Sequence, residues 1–173
     1  LLSIGYAVPG LILAVGMVQL MVFLDANVFL GFEFVLTGSL FGLILAYIIK
    51  TYALANSSIE SGYERLSHAL DDSAKLLGSS GFRMLKNVHI PLLKTSILTS
   101  VLLVMSDVVK ELPATLILRP FNFETLAVST YTYASEERML QAAAPAIAIV
   151  LIGLIPIVFL SKMIRSSRPV EEK

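Results

Sequence analysis

Apolar residues fall along this chain in four long blocks, and the polar residues collect between them. Leu1 to Leu24 contains no charged residue, and neither does Met139 to Ser161. A helix needs about 20 residues, at about 1.5 Å each, to cross a hydrocarbon core, so both runs are long enough to span one. A first span is predicted over about 6–24, with Pro9 near its start, where a missing backbone N–H costs little. A second is predicted over 34–50: Phe34 to Ile49 is uncharged, and Lys50 at its end is expected to extend its amine to the headgroups. A third, 90–109, carries Lys94 near one end and Asp107 near the other, with Thr95 to Ser106 uncharged between them. The fourth, about 142–160, contains Pro145 and Pro156, which predict kinks rather than a break.

The stretch between the second and third spans is too polar to cross and too apolar to be disordered. Ile59, Tyr63, Leu66, Leu70, Ala74 and Leu77 recur at steps of four and three, while Glu60, Glu64, Ser67, Asp71 and Lys75 occupy the opposite face. One amphipathic helix accounts for this pattern. It is expected to stop at Gly78, because glycine readily takes the left-handed conformation that ends helices. Ser79 or Ser80 then caps a short helix through Phe82, Arg83, Leu85 and Lys86, and Pro91 suits the first turn of the span that follows. The expected order is a helix, a glycine corner, a short exposed helix and a span.

Composition agrees with a membrane bundle: of 173 residues, 56% are hydrophobic and 15% charged. The expected fold class is therefore an all-α membrane protein, a single domain over 1–173 with about four transmembrane helices. Net charge is zero, with 13 basic and 13 acidic residues, so overall charge argues for neither nucleic acid nor an acidic partner. Distribution is more informative. The 50–94 stretch holds six basic residues (Lys50, Arg65, Lys75, Arg83, Lys86, Lys94) and the tail after Ser161 holds four (Lys162, Arg165, Arg168, Lys173), against three in 110–138 and none in 25–33. Basic connections face the cytoplasm. The loop 51–89 and the tail are thus expected inside, and the 110–141 segment outside.

Several chemistries find no foothold. There is no cysteine, hence no disulfide framework or thiolate metal site. His68 and His89 are 21 residues apart and belong to no metal-ligand cluster, which favours surface or interfacial packing over a metal site. No phosphate-binding G-x-x-x-x-G-K-[ST] and no G-x-S-x-G nucleophile occurs; Gly78-Ser79-Ser80-Gly81 lacks the lysine and reads as a corner. The N-terminal run has no basic start or small-residue cleavage pattern, so a signal peptide is a poor reading, and the abrupt beginning points to a chain cut from something longer.

The segment Asp72-Ser73-Ala74-Lys75-Leu76-Leu77-Gly78, followed after nine residues by Val88-His89-Ile90-Pro91, resembles the EAA loop of binding-protein-dependent ABC importer permeases, E-A-A, three residues, G, nine residues, I-x-L-P. Ala74, Gly78 and Pro91 match in identity; Asp72 replaces Glu and Ser73 replaces Ala. The stretch Lys110 to Pro120, with Leu126-Ala127 and Ala134 to Glu137, resembles the second half of ferric-iron-type permeases, in which two homologous halves are often fused. The resemblance implies a type I importer fold of the MetI kind in a bacterial inner membrane. It also implies a transport component rather than an enzyme, with three sorts of partner: cytoplasmic ABC ATPase subunits that bind ATP and Mg, a second permease half, and an external solute-binding protein. No cofactor is expected in this chain. The coupling residues it implies are Asp72, Ala74, Gly78, Ser79, Ser80, Phe82, Arg83, Leu85, Lys86 and Pro91, with Phe82 and Leu85 as an apolar knob and Arg83 and Lys86 as its charged rim.

Asp107, Lys110 and Glu111 fall where the third span is expected to meet the outer face. Charges near membrane depth are costly, so Asp107 and Glu111 either border a water-filled translocation path or are solvated at a span end. Two rival functions share parts of the pattern: a secondary transporter or channel without an ATPase, which predicts more polar spans and no glycine corner, and a non-transporting membrane scaffold.

Overall fold

The computed structural model of the chain describes residues 8–27 and 35–167, and every regular element within them is helical. The first residues of the expected first span, most of the 25–33 connection, and Arg168 and Lys173 lie outside the described residues. Helix α1 (Gly10–Asn27) begins directly after Pro9, whose carbonyl accepts from the N–H of Ile12 at 2.9 Å and of Leu13 at 3.1 Å. Near its end the Asp25 carboxylate accepts the N–H groups of Leu36 (2.8 Å) and Thr37 (2.9 Å) and the Thr37 hydroxyl (2.7 Å), which ties the entry of the second span to the exit of the first.

Helix α2 (Leu40–Tyr63) starts at Ser39, whose hydroxyl accepts the Gly42 N–H at 3.0 Å. It does not end at Lys50, as expected, but runs on through the polar stretch to Tyr63. Its hydroxyls bond backward within the helix, Thr51 to the Tyr47 carbonyl at 2.8 Å and Ser61 to that of Ser57 at 2.9 Å, so they neither need water nor terminate it. Lys50 therefore lies mid-helix, about 15 Å from Leu40 at 1.5 Å per residue.

The single amphipathic helix expected over 59–77 is two helices. The chain turns at Glu64–Leu66, and Ser67 caps α3 (His68–Leu76) by accepting the Ala69 N–H at 3.2 Å. Periodicity cannot separate one helix from two that share a stripe, whereas a serine cap offers the backbone a cheap restart. Of the six residues expected to face inward, only Ala74 is buried, and Leu77 is 87% exposed.

Helix α4 (Gly81–Met84) passes through a π turn, Leu85–His89, directly into α5 (Ile90–Val109). The short helix and the third span are thus one rod instead of two elements divided at Pro91. Pro91 has no N–H to give the Asn87 carbonyl and its ring would strike that oxygen; the wider π turn, with the Ile90 N–H reaching the Leu85 carbonyl, relieves both problems. Two short helices follow, α6 (Pro113–Leu118) and α7 (Leu126–Ser135), and then α8 (Met139–Ser167), which continues unbroken through Pro145 and Pro156.

Helices α2 and α5 pack antiparallel along the middle of the bundle. Ser58 donates to the Ser96 carbonyl and Ser100 to that of Ala55, both at 3.3 Å. Their backbones approach so closely at Gly62 that a Cβ there would overlap the Ser96 side chain, the small-residue contact by which membrane helices associate. Helices α1 and α6 lie against α2, and α8 lies against α5 and α7. A modest core of Ala14, Met17, Met21, Leu36, Leu43, Ala46, Ala114 and Leu118 joins α1, α2 and α6. Elsewhere the long helices expose apolar side chains such as Ile44, Ile48, Leu151 and Phe159, which water would reject and lipid or another membrane chain accepts. Among the described residues, four helical stretches are long and apolar enough to span: Gly10–Asn27, Leu40–Tyr63, Gly81–Val109 and Met139–Lys162. The chain is an all-α, multi-pass membrane bundle.

Candidate functional site

Two groups of residues stand apart from ordinary bundle packing. The first is the corner after α3. Gly78 has φ +78°, with the Ser79 N–H bonded to the Ala74 carbonyl and the Gly78 N–H to that of Lys75, both at 2.9 Å. This double closure is the Schellman arrangement, and its left-handed residue is at little cost only as glycine. Gly81 is also left-handed, at φ +51°, which the sequence pattern had not singled out. Ser80 occupies the cap position of α4 but makes no side-chain capping bond, contrary to expectation; Ser79 is half-buried.

Around this corner the chain projects apolar groups into the open. Leu76 is 89% exposed, Leu77 87% and Phe82 76%, with Leu85 also exposed. Arg83, Lys86 and Pro91 are exposed beside them. Asp72 is exposed and pairs along its own helix with Lys75 at 3.5 Å. Beneath the corner, His89 Nε2 meets Asp71 Oδ1 at 2.8 Å, and Tyr63 stands edge-on to the imidazole with ring centroids 5.2 Å apart. Neither Asp71 nor the inward turn of His89 was legible beforehand, because the contact joins residues 18 apart across a reversal.

The second group lies within the bundle. Glu111, expected at a solvated or water-lined span end, is buried, its side chain 7% exposed, and forms an ion pair with Lys50 of α2. Its other oxygen accepts the Ala114 N–H at 3.2 Å, and its carbonyl accepts the Thr115 hydroxyl at 2.8 Å. Tyr47, one turn before Lys50, closes the network on Thr115 at 2.5 Å. The pair fits because Gly10 of α1 has no side chain: a Cβ there would lie 2.9 Å from Glu111 Oε1. The segment expected to be external thus begins within the protein bundle, with Ala114, Thr115 and Leu118 buried against the first two spans. Asp107 has a different partner, Lys110 at 3.3 Å, and its side chain is 14% exposed. α5 ends at Val109, so Asp107 and Glu111 do not share a helix face. An apolar Thr-Tyr-Ala-Leu-Ala run directly after Lys50 was the available signal that the lysine sits inside a span.

On the α2–α5 seam, Ser57, Ser61, Thr95, Thr99 and Arg65 line a cleft of about 310 Å³.

A multi-pass helical bundle with a protruding glycine corner and a buried charge pair defines the class, an integral membrane protein. Residues 1–167 match the family of binding-protein-dependent transport system inner membrane components, and the chain belongs to that family. It is 26% identical over 157 residues, 91% of its length, to an Fe(3+)-transport system permease protein, FbpB 2, of Haemophilus influenzae, of which it covers 29%. It is 28% identical over 120 residues, 69% of its length, to a putative 2-aminoethylphosphonate transport system permease protein, PhnV, of Salmonella typhimurium, of which it covers 45%. The chain thus spans less than half the length of each of these relatives.

Proposed function

We propose that this chain forms one half of the translocation unit of an ATP-driven solute importer and couples to a separate ATPase through the corner between α3 and α5. The observation that carries this reading is the exposure of Leu76, Leu77 and Phe82 around Gly78, with Arg83 and Lys86 at the rim. An exposed apolar knob with a cationic border, on a corner that glycine holds in one shape, suits a groove on another protein. Asp72, Ala74, Ser79, Ser80, Leu85 and Pro91 complete the coupling segment, Ala74 from its buried side. The chain then works with cytoplasmic ABC ATPase subunits that bind ATP and Mg, a second permease half, and an external solute-binding protein, in a bacterial inner membrane. The 64–80 region faces the cytoplasm.

Ferric iron is the proposed solute, on the likeness to the Haemophilus influenzae permease. Asp107 and Glu111 are proposed to border the path, Glu111 through its pair with Lys50. The test is co-purification from detergent-solubilised membranes. The intact permease is expected to retain an ABC ATPase that Leu77→Asp and Phe82→Asp release while membrane content stays normal. Retention unchanged by both substitutions would count against the corner as the docking site. Uptake of labelled ferric iron against labelled 2-aminoethylphosphonate decides the solute, and Asp107→Asn is expected to lower uptake without lowering expression.

A further inference from the structure

We propose that His89 and Asp71 are positioning residues for coupling: their contact fixes the angle of α3 to the third-span rod and passes the corner's movement into the membrane. The inference rests on the coupling role proposed above and names the residues that transmit it. Helix α3 has almost no packing of its own; Ala74 is buried, Asp71 half-buried, and the other side chains described in it are exposed. Among the described residues, the Asp71–His89 contact is its polar link to the rod, since its other side-chain bonds stay within the helix or its cap. The corner has no side-chain packing of its own against the rod: a Cβ at Gly78 or Gly81 would meet nothing within 4 Å.

His89 is 7% exposed in its side chain and sits at a junction of three elements: α3 through Asp71, the end of α2 through Tyr63, and the rod of which it is part. His89 lies one turn before buried Leu93, on the inner face of the rod, in a segment whose neighbours Leu85, Lys86 and Asn87 are exposed. The ring donates Nε2–H to the carboxylate, closing a hairpin between residues 71 and 89. With the hairpin closed, a load on the exposed corner tilts the base of α5.

The experiment compares His89→Leu and Asp71→Ala, which remove the bond, with His89→Gln and Asp71→Asn, which keep a donor and an acceptor in place. Two quantities are read on the full permease: hydrogen–deuterium exchange of 68–80 in the detergent-solubilised protein, and solute imported per ATP hydrolysed in vesicles with its ATPase. The first pair is expected to raise exchange across α3 and to lower transport per ATP at least about fivefold, the low end of coupling between distant sites, with the ATPase still bound. The second pair is expected to stay close to wild type. Unchanged exchange in His89→Leu overturns the tie. Raised exchange with wild-type transport per ATP overturns its role in coupling. A wild-type permease that binds no ATPase defeats the docking reading and the coupling role together, and the exchange arm still decides whether the tie exists.

Discussion

Lys50, in the middle of the second span, forms an ion pair with Glu111, which lies just beyond the end of the third. The two residues, 61 apart in sequence, bind the short, half-buried helix α6 to α2 beside Gly10. Removing one partner of a buried pair leaves an uncompensated charge, a loss of about 3–5 kcal/mol, whereas replacing both by neutral residues of similar shape is often tolerated. Lys50→Met and Glu111→Gln are each expected to lower the thermal midpoint and membrane content sharply, and the double variant to recover most of the loss. Equal loss in the double variant would mean that charge pairing is not what holds the segment.

The α2–α5 seam makes a second prediction. A Cβ at Gly62 would lie 2.6 Å from Ser96 Cβ and 3.2 Å from Leu93 Cδ2, so Gly62→Ala should push the helices apart at a cost of about 1–3 kcal/mol. Ser96→Gly opens the space again. Thermal unfolding in detergent is expected to show the single variant destabilised and Gly62→Ala/Ser96→Gly largely restored; independent, additive losses would place the contact elsewhere.

Gly78 differs in kind, because the space beside it is empty and only its φ of +78° constrains it. A β-branched residue in that conformation costs about 1–2 kcal/mol, while asparagine tolerates it better. Gly78→Val is therefore expected to insert normally yet retain the ATPase poorly, with Gly78→Asn intermediate. Wild-type transport by Gly78→Val at normal expression would remove the corner from the coupling scheme.

Orientation is open to direct labelling, since the chain has no cysteine of its own. Ser67, exposed at the start of α3, is expected on the cytoplasmic side, and Phe121, fully exposed between α6 and α7, on the other. A membrane-impermeant maleimide added to intact spheroplasts should modify Phe121→Cys and spare Ser67→Cys. The reverse pattern would invert the topology.

Much of this molecule follows from composition in order along the chain. Uncharged runs of spanning length determine how many helices cross, since lipid leaves the backbone no other way to satisfy itself. The identity of Gly78 places a corner that local conformation alone dictates, and the spacing from Ala74 through Gly78 to Pro91 suffices to recognise the family. What depends on distant residues was not legible in this way. Lys50 looks like a span end because a lysine among apolar residues normally seeks water; only the arrival of Glu111 from beyond the third span lets it stay inside. Likewise Ser67 restarts a helix that the apolar stripe carries on unbroken, and Pro91 is absorbed by a π turn instead of dividing two elements. Periodicity records which face of a helix is apolar, but where a charge rests in a membrane is decided by the partner that folding brings to it.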